Sequence, residues 1–240
     1  MRKLFFALAL LFALMALLPA TADSQTNWSG IPRQGQVAIG VTGGLTQPVG
    51  QLGRAVSLDA DIGDSGLNLD RGVNGGVFAD YFFTHRFAVG VFANSGTLHM
   101  KTITLQTESG PRSFDKLVEG RTTQFGLYAK YFMRPRGAWS NYGFAGAAHV
   151  DRKAQLSRDV LALYPGTTVF EIRDDLIGFV GGIGTDYAWN DRLSVGVVAA
   201  YDYSGELAHD FPWMGHQTVV HDWQFLTLHA AMQWHLGVGQ

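Results

Sequence analysis

The chain has 240 residues, 47% hydrophobic and 16% charged, where soluble domains usually carry ~25% charge; its 30 glycines also exceed the usual ~7%. A formal net charge of −2 without a basic stripe argues against nucleic acid as a partner, and the absence of cysteine removes disulfides and thiolate metal sites. Low charge with abundant glycine and aromatics fits a β-barrel in lipid, but a glycine-rich soluble sandwich shares these totals, so the pattern of residues has to decide.

Residues 1–22 read as a secretory signal peptide. Arg2 and Lys3 precede an apolar run from Leu4 to Leu18, and Ala20-Thr21-Ala22 supplies a small-x-small cleavage site. The run is short of the ~20 residues a spanning helix needs. Removal of Arg2 and Lys3 leaves 16 basic against 20 acidic residues, a formal charge of −4. Residues 23–34 form a polar leader that contains Asn27-Trp28-Ser29, a glycosylation triplet short enough to arise by chance. The expected barrel occupies residues 35–240.

The first strand is predicted from Gln36 to Leu45, ended by Pro48. After a polar connection, Val73, Gly75, Val77, Ala79, Tyr81 and Phe83 alternate with Asn74, Gly76, Phe78, Asp80 and Phe82. Thr84-His85-Arg86 is turn-sized, and Phe87, Val89, Val91 and Ala93 resume the alternation. Side chains alternate across a strand, so this is a hairpin. Its second face is small and weakly polar with one acid, which suits a filled barrel interior. The pattern returns with Phe125, Leu127, Ala129 and Tyr131 outward, then with Tyr142, Phe144, Gly146 and Ala148 outward. It recurs with Ile177, Phe179, Ile183 and Tyr187, and after Asn190-Asp191-Arg192 with Leu193, Val195, Val197, Ala199 and Tyr201. The last strand places Leu226, Leu228, Ala230, Met232, Trp234 and Leu236 outward. The fold predicted is all-β: an eight-stranded antiparallel up-and-down transmembrane β-barrel.

Four pairs recur in phase: Asp80-Tyr81, Lys130-Tyr131, Asp186-Tyr187 and Gln233-Trp234. Each couples a polar inward residue to an outward aromatic near a short turn or the chain end. Tyr81, Tyr131, Tyr187 and Trp234 are therefore expected to form a periplasmic aromatic girdle, since amphipathic rings prefer the lipid–water interface. Asp80, Lys130, Asp186, Gln233 and His235 are expected to form an interior polar layer with Lys130 between the two acids, because buried charge has to be paired.

On the signal peptide, the eight alternating strands and these pairs, the chain resembles the small outer-membrane barrels of Gram-negative bacteria, of the OmpA/OmpX/OmpW type. The resemblance extends from Gln36 to Leu236 and implies short turns toward the periplasm and long connections outside. Such barrels usually end in an aromatic residue, whereas this chain ends Leu236-Gly237-Val238-Gly239-Gln240, which leaves Trp234 to take that part. No peptidoglycan-binding domain is expected after the barrel. The basic residues of the short turns, His85, Arg86, Arg134, Arg136 and Arg192, fit anionic headgroups or plain solvation equally.

No catalytic, cofactor-binding or metal-binding residues are expected. His149 is expected to face the interior, and His209, His216 and His221 to lie on or near the last long connection as solvated loop residues. Asp59, Asp61, Asp64 and Asp70 lack the glycine and closing glutamate of a calcium loop. The glycine groups Gly43-Gly44 and Gly181-Gly182-x-Gly184 lie within strands and read as close packing. Residues 102–107 and 113–123 alternate around Gly110-Pro111 and carry outward Glu119 and Arg121, so they are predicted to rise above the membrane as a ribbon; the third connection repeats this around Pro165-Gly166.

The function expected is a non-enzymatic surface barrel that contributes to envelope structure and displays loops and ribbons. Its partners would be outer-membrane lipid and lipopolysaccharide, with an extracellular partner at the loops. A narrow conduit for small solutes, apolar ones included, is the second reading, as an OmpW-like resemblance would imply. A lipid A-modifying enzyme is the third and would need a Ser/His pair at the outer surface. Ser95 and His99 share the outward phase there, but four residues along a strand span ~13 Å.

Overall fold

The computed structural model describes residues 34–49, 70–99, 103–107, 110–114, 118–133, 138–156, 171–211 and 217–236, without the side chains of 103–118, 154, 156, 171–172, 206–211 and 217–222. The signal peptide, nearly all of the leader, Asp59, Asp61, Asp64, Arg134, Arg136, His216 and the third connection lie outside these residues, as do the side chains of His209 and His221.

The described residues form ten strands: β1 (Val37–Val49), β2 (Gly72–Phe82), β3 (Phe87–His99), β4 (Ile103–Thr107), β5 (Gly110–Phe114), β6 (Val118–Phe132), β7 (Trp139–Leu156), β8 (Glu171–Asn190), β9 (Leu193–Phe211) and β10 (Gln217–Leu236). Eight of them close an antiparallel ring in sequence order, β1-β2-β3-β6-β7-β8-β9-β10 and back to β1, while β4 and β5 pair only with each other. The ring is the predicted up-and-down barrel. Over the predicted strand 113–123 the described residues belong to β5, up to Phe114, and to β6, from Val118, and β4 and β5 form a two-stranded sheet of their own.

Short turns close one end. Thr84 Oγ1 accepts hydrogen bonds from the backbone N–H groups of Arg86 (3.1 Å) and Phe87 (3.0 Å), and Asn190 Oδ1 from those of Arg192 (2.8 Å) and Leu193 (2.9 Å). These Ser/Thr- and Asx-type bonds pre-form the reversal and fix each hairpin's register.

The registers also set the tilt. Partners followed from Val37 through Tyr81, Val89, Ala129, Ala145, Gly181, Tyr201 and Leu226 return to β1 at Gln47, a displacement of ten residues (47 − 37). With ~3.3 Å per residue along a strand and ~4.8 Å between strands, that displacement tilts the strands by roughly 40°. Each residue along a strand then climbs about 2.5 Å, and each sideways step at constant register climbs about 3 Å.

Outward positions are apolar and bare, with Ile177 71%, Ile183 64% and Leu127 62% exposed, while Asp80, Lys130, Arg152, Asp186 and Gln233 are buried inside. A soluble sandwich has the opposite arrangement. The inward and outward faces follow the sequence reading in β1, β2, β3, β6, β8, β9 and β10.

Two expectations are corrected. In β7 the phase is reversed: Tyr142, Phe144 and Ala148 are buried inside, and Trp139, Ala147 and His149 face out. The interior needs filling, and Tyr142 and Phe144 fill it by packing against Tyr128 and Phe132 of β6. Pro48 does not end β1, which runs on to Val49. Pairing of β1 with β2 stops at Thr46, so Pro48 is partnered only by β10, and proline is tolerated at such a one-sided position.

β9 departs from β8 near the top. Their ladder ends at Phe179–Tyr203, and Gly205 follows with φ of 83°. An L side chain rarely adopts that backbone conformation, so glycine suits the bend. Above it β9 pairs with β10 alone, past a register shift between Asp222 and Gln224.

Candidate functional site

The interior falls into three storeys. The lowest, beside the short turns, is filled. Ala38, Phe82, Ala88 and Phe132 are buried there, and Phe82 and Phe132 lie 5.5 Å apart by ring centroids. Ser194 Oγ and His235 Nε2 are hydrogen-bonded at 2.8 Å. This Ser–His contact is buried, and Nδ1 of the histidine has no partner, so no acid orients the ring as a catalytic dyad requires.

Above it lies the polar layer. Lys130 Nζ bonds Asp80 Oδ2 at 2.6 Å, and Tyr128 OH donates to Asp80 Oδ1 at 2.5 Å. Asp186 is held by Gln233 Nε2 (2.9 Å) and Tyr142 OH (3.4 Å). Lys130 thus bonds one acid, and the second is held by neutral donors. The ammonium also lies 4.7 Å from the Phe78 ring, 5.1 Å from Tyr128 and 5.0 Å from Tyr142. Three ring faces replace part of the lost hydration of the cation. Gly90 makes room for the layer: a Cβ there would run into Asp80 Oδ1 and the Tyr128 ring.

The third storey is a chamber that is partly open to solvent. Phe78, Phe92, Tyr128, Tyr142, Phe144 and Phe225 supply its apolar wall, and Thr42, Asn74, Thr122, Gln124 and His229 its polar one. Buried atoms of Thr42, Asn74, Thr122 and His229 find no hydrogen-bond partner. Asp202 is buried here and bonded by Gln124.

Higher on the tall side of the wall, Arg152 crosses from β7, only 1% exposed. Its Nη2 donates to the backbone O (3.1 Å) and the Oγ of Ser204, and its guanidinium stacks 4.4 Å from the Trp223 ring centre. Arg152 is not evident from the sequence pattern, because the large apolar residues of β7 lie on its inward face together with it. Trp139 lies on the odd phase near the short turn, half-exposed against Tyr187 at 5.0 Å, and is the signal that sets the phase of the strand.

On the outside, the registers place Tyr81, Tyr131, Tyr187 and Trp234 within about 4 Å of a single level. His149, expected inside, faces out; it stacks on Phe125 (4.7 Å) and bonds Asp175 at 2.5 Å. The reversed β7 phase explains this. Ser95 borders the chamber and His99 lies four residues further up β3 with its Nδ1 unpartnered; the two are not brought together. Among the described residues, no group of three His, Asp or Glu side chains is placed to hold a metal.

A closed ring that is polar inside and apolar outside, with all its strands paired on both sides at membrane depth, defines an outer-membrane β-barrel. The family model described as outer membrane protein beta-barrel domain matches residues 7–239, and the chain belongs to that family. Solved structures with this fold include OprG from Pseudomonas aeruginosa, with 14% identity, a TM-score of 0.56, and coverage of 88% of this chain and 99% of that one. Neisserial surface protein A has 12% identity, a TM-score of 0.49, and coverage of 84% and 97%. The barrel domain of Pseudomonas aeruginosa OprF has 13% identity, a TM-score of 0.46, and coverage of 85% and 100%. No curated protein sequence matches the chain. Likeness at this identity shows the fold, and many activities are built on one fold.

Proposed function

We propose that this outer-membrane barrel is non-enzymatic, that it contributes to envelope structure, and that it presents its extracellular strands and loops to partners. The observation that carries this reading is the filled lower interior. Phe82, Phe132, Ala38 and Ala88 are buried beneath the Lys130–Asp80 pair, so side chains occupy the lower interior where a conduit would have to pass. The strands rise highest on the β6–β10 side, where they have length to spare beyond the membrane.

The conduit reading draws on the chamber, whose unpartnered polar atoms and aromatic wall suit a small amphiphilic solute. It also requires the Lys130 layer to open. Conductance of the refolded chain in planar bilayers separates the two: the display reading expects no steady open current, and a sustained one would replace it with the conduit. The lipid A-modifying reading has less support, because the Ser–His contact that does form is buried at the opposite end from the outer surface.

A further inference from the structure

On the outer face of β6, β7 and β8 the registers stack four rows of residues. The lowest is Phe125–His149–Ile177, and Thr123–Asp151–Asp175 lies above it. The next row is Arg121–Lys153–Arg173, three cations directly opposite one another on adjacent strands. Above them come Glu119 and Gln155.

The level of each row follows from the tilt. Measured from Tyr81, the row of Phe125, His149 and Ile177 lies at about 16, 19 and 22 Å, inside an apolar band ~25 Å tall. Arg121, Lys153 and Arg173 lie at about 26, 29 and 32 Å, just past the upper edge of that band. That is the height at which lipid headgroups carry their phosphates.

Like charges set directly opposite in a sheet destabilise it. Asp151 answers part of this cost through its 3.1 Å bond to Arg173, and His149 engages Asp175 in the row below. Arg121 and Arg173 are nonetheless exposed, and Arg173 keeps 70% of its side chain accessible. A phosphate at this level meets two neighbouring cations ~5 Å apart, and guanidinium groups bind phosphate in a two-pronged geometry.

We propose that Arg121, Lys153 and Arg173 form a docking row for the phosphates of outer-leaflet glycolipid. This rests on the outer-membrane placement argued above and names the face of the barrel that lipid would hold. The acids of the neighbouring rows make the contact selective for phosphate approaching at the cation level, since an anion displaced by one row meets like charge.

The test uses the full chain refolded in phosphatidylcholine nanodiscs and measures retention of bis-phosphorylated lipid A against its dephosphorylated form, with inorganic pyrophosphate as soluble competitor. The expected result is at least tenfold preference for the phosphorylated lipid. Each single substitution, Arg121→Gln, Lys153→Gln or Arg173→Gln, should cost about fivefold. Arg86→Gln with Arg192→Gln, at the short turns, should leave the preference intact. Equal retention of both lipids by the unaltered chain would overturn the proposal, as would full displacement by pyrophosphate, which would point to a soluble anion instead. If one of these single variants does not fold, the other two and the two-lipid comparison on the unaltered chain still decide. If the unaltered chain shows no heat-dependent gel shift, the barrel reading itself falls, and this is distinguishable from failure of the row.

Discussion

At the scale of residues, Lys130 is a buried charge that its partners have to answer. It is buried, bonded to Asp80 at 2.6 Å and surrounded by three rings. Lys130→Met leaves Asp80 with only the Tyr128 hydroxyl among the bonds described. Removing one partner of a buried pair typically costs about 3–5 kcal/mol. The temperature at which the detergent-treated barrel loses its folded gel mobility should therefore fall clearly, and an unchanged temperature would refute the role assigned to the pair. The layer was legible in part. Period-two alternation puts Asp80, Lys130, Asp186, Gln233 and His235 on the inward face, where all five are buried, but His235 lies below the others and bonds Ser194. Their partners were not legible, because bonding across a ring depends on which strands face each other through the lumen. Tyr128 and Tyr142 reach the acids from β6 and β7, and no local pattern announces this.

At the scale of elements, seven strands could be phased from sequence and β7 could not. Its even positions hold Tyr142 and Phe144, and its odd positions hold Gly143, Ala145 and Ala147. Apolarity points outward only while the interior is polar; where aromatic rings fill the lumen, the large residues turn in and the small ones meet lipid. The error carried His149 to the wrong face and concealed Arg152. The ribbon β4–β5 is a different kind of element, with no ladder to the barrel among the described residues. A lone two-stranded hairpin is at best marginally stable in water. Replacing residues 103–114 with a short Gly/Ser linker should leave the thermal gel shift within a few degrees of the unaltered chain. A large drop would mean that the ribbon braces the ring.

At the scale of the whole molecule, closure is what the alternation could not specify by itself. Eight alternating strands allow a sandwich or a ring, and the registers decide for a ring with a ten-residue displacement. With every lower strand held on both sides, the ring should resist detergent until heated. Gly205 marks where this changes. It lies about 25 Å above the Tyr81 level, where the apolar band gives out, and there β9 keeps β10 but leaves β8. Below that glycine, a strand leaves only if the circle breaks, so its amides should exchange with deuterium only through global opening. Above it, a strand has one neighbour and can peel from its free edge, so the amides of residues 206–211 should exchange orders of magnitude sooner than those of 195–203. Equal exchange on both sides would show that the circle continues above the bend. One backbone angle thus divides the chain into a hoop that must fail all at once and a fringe that can unravel strand by strand.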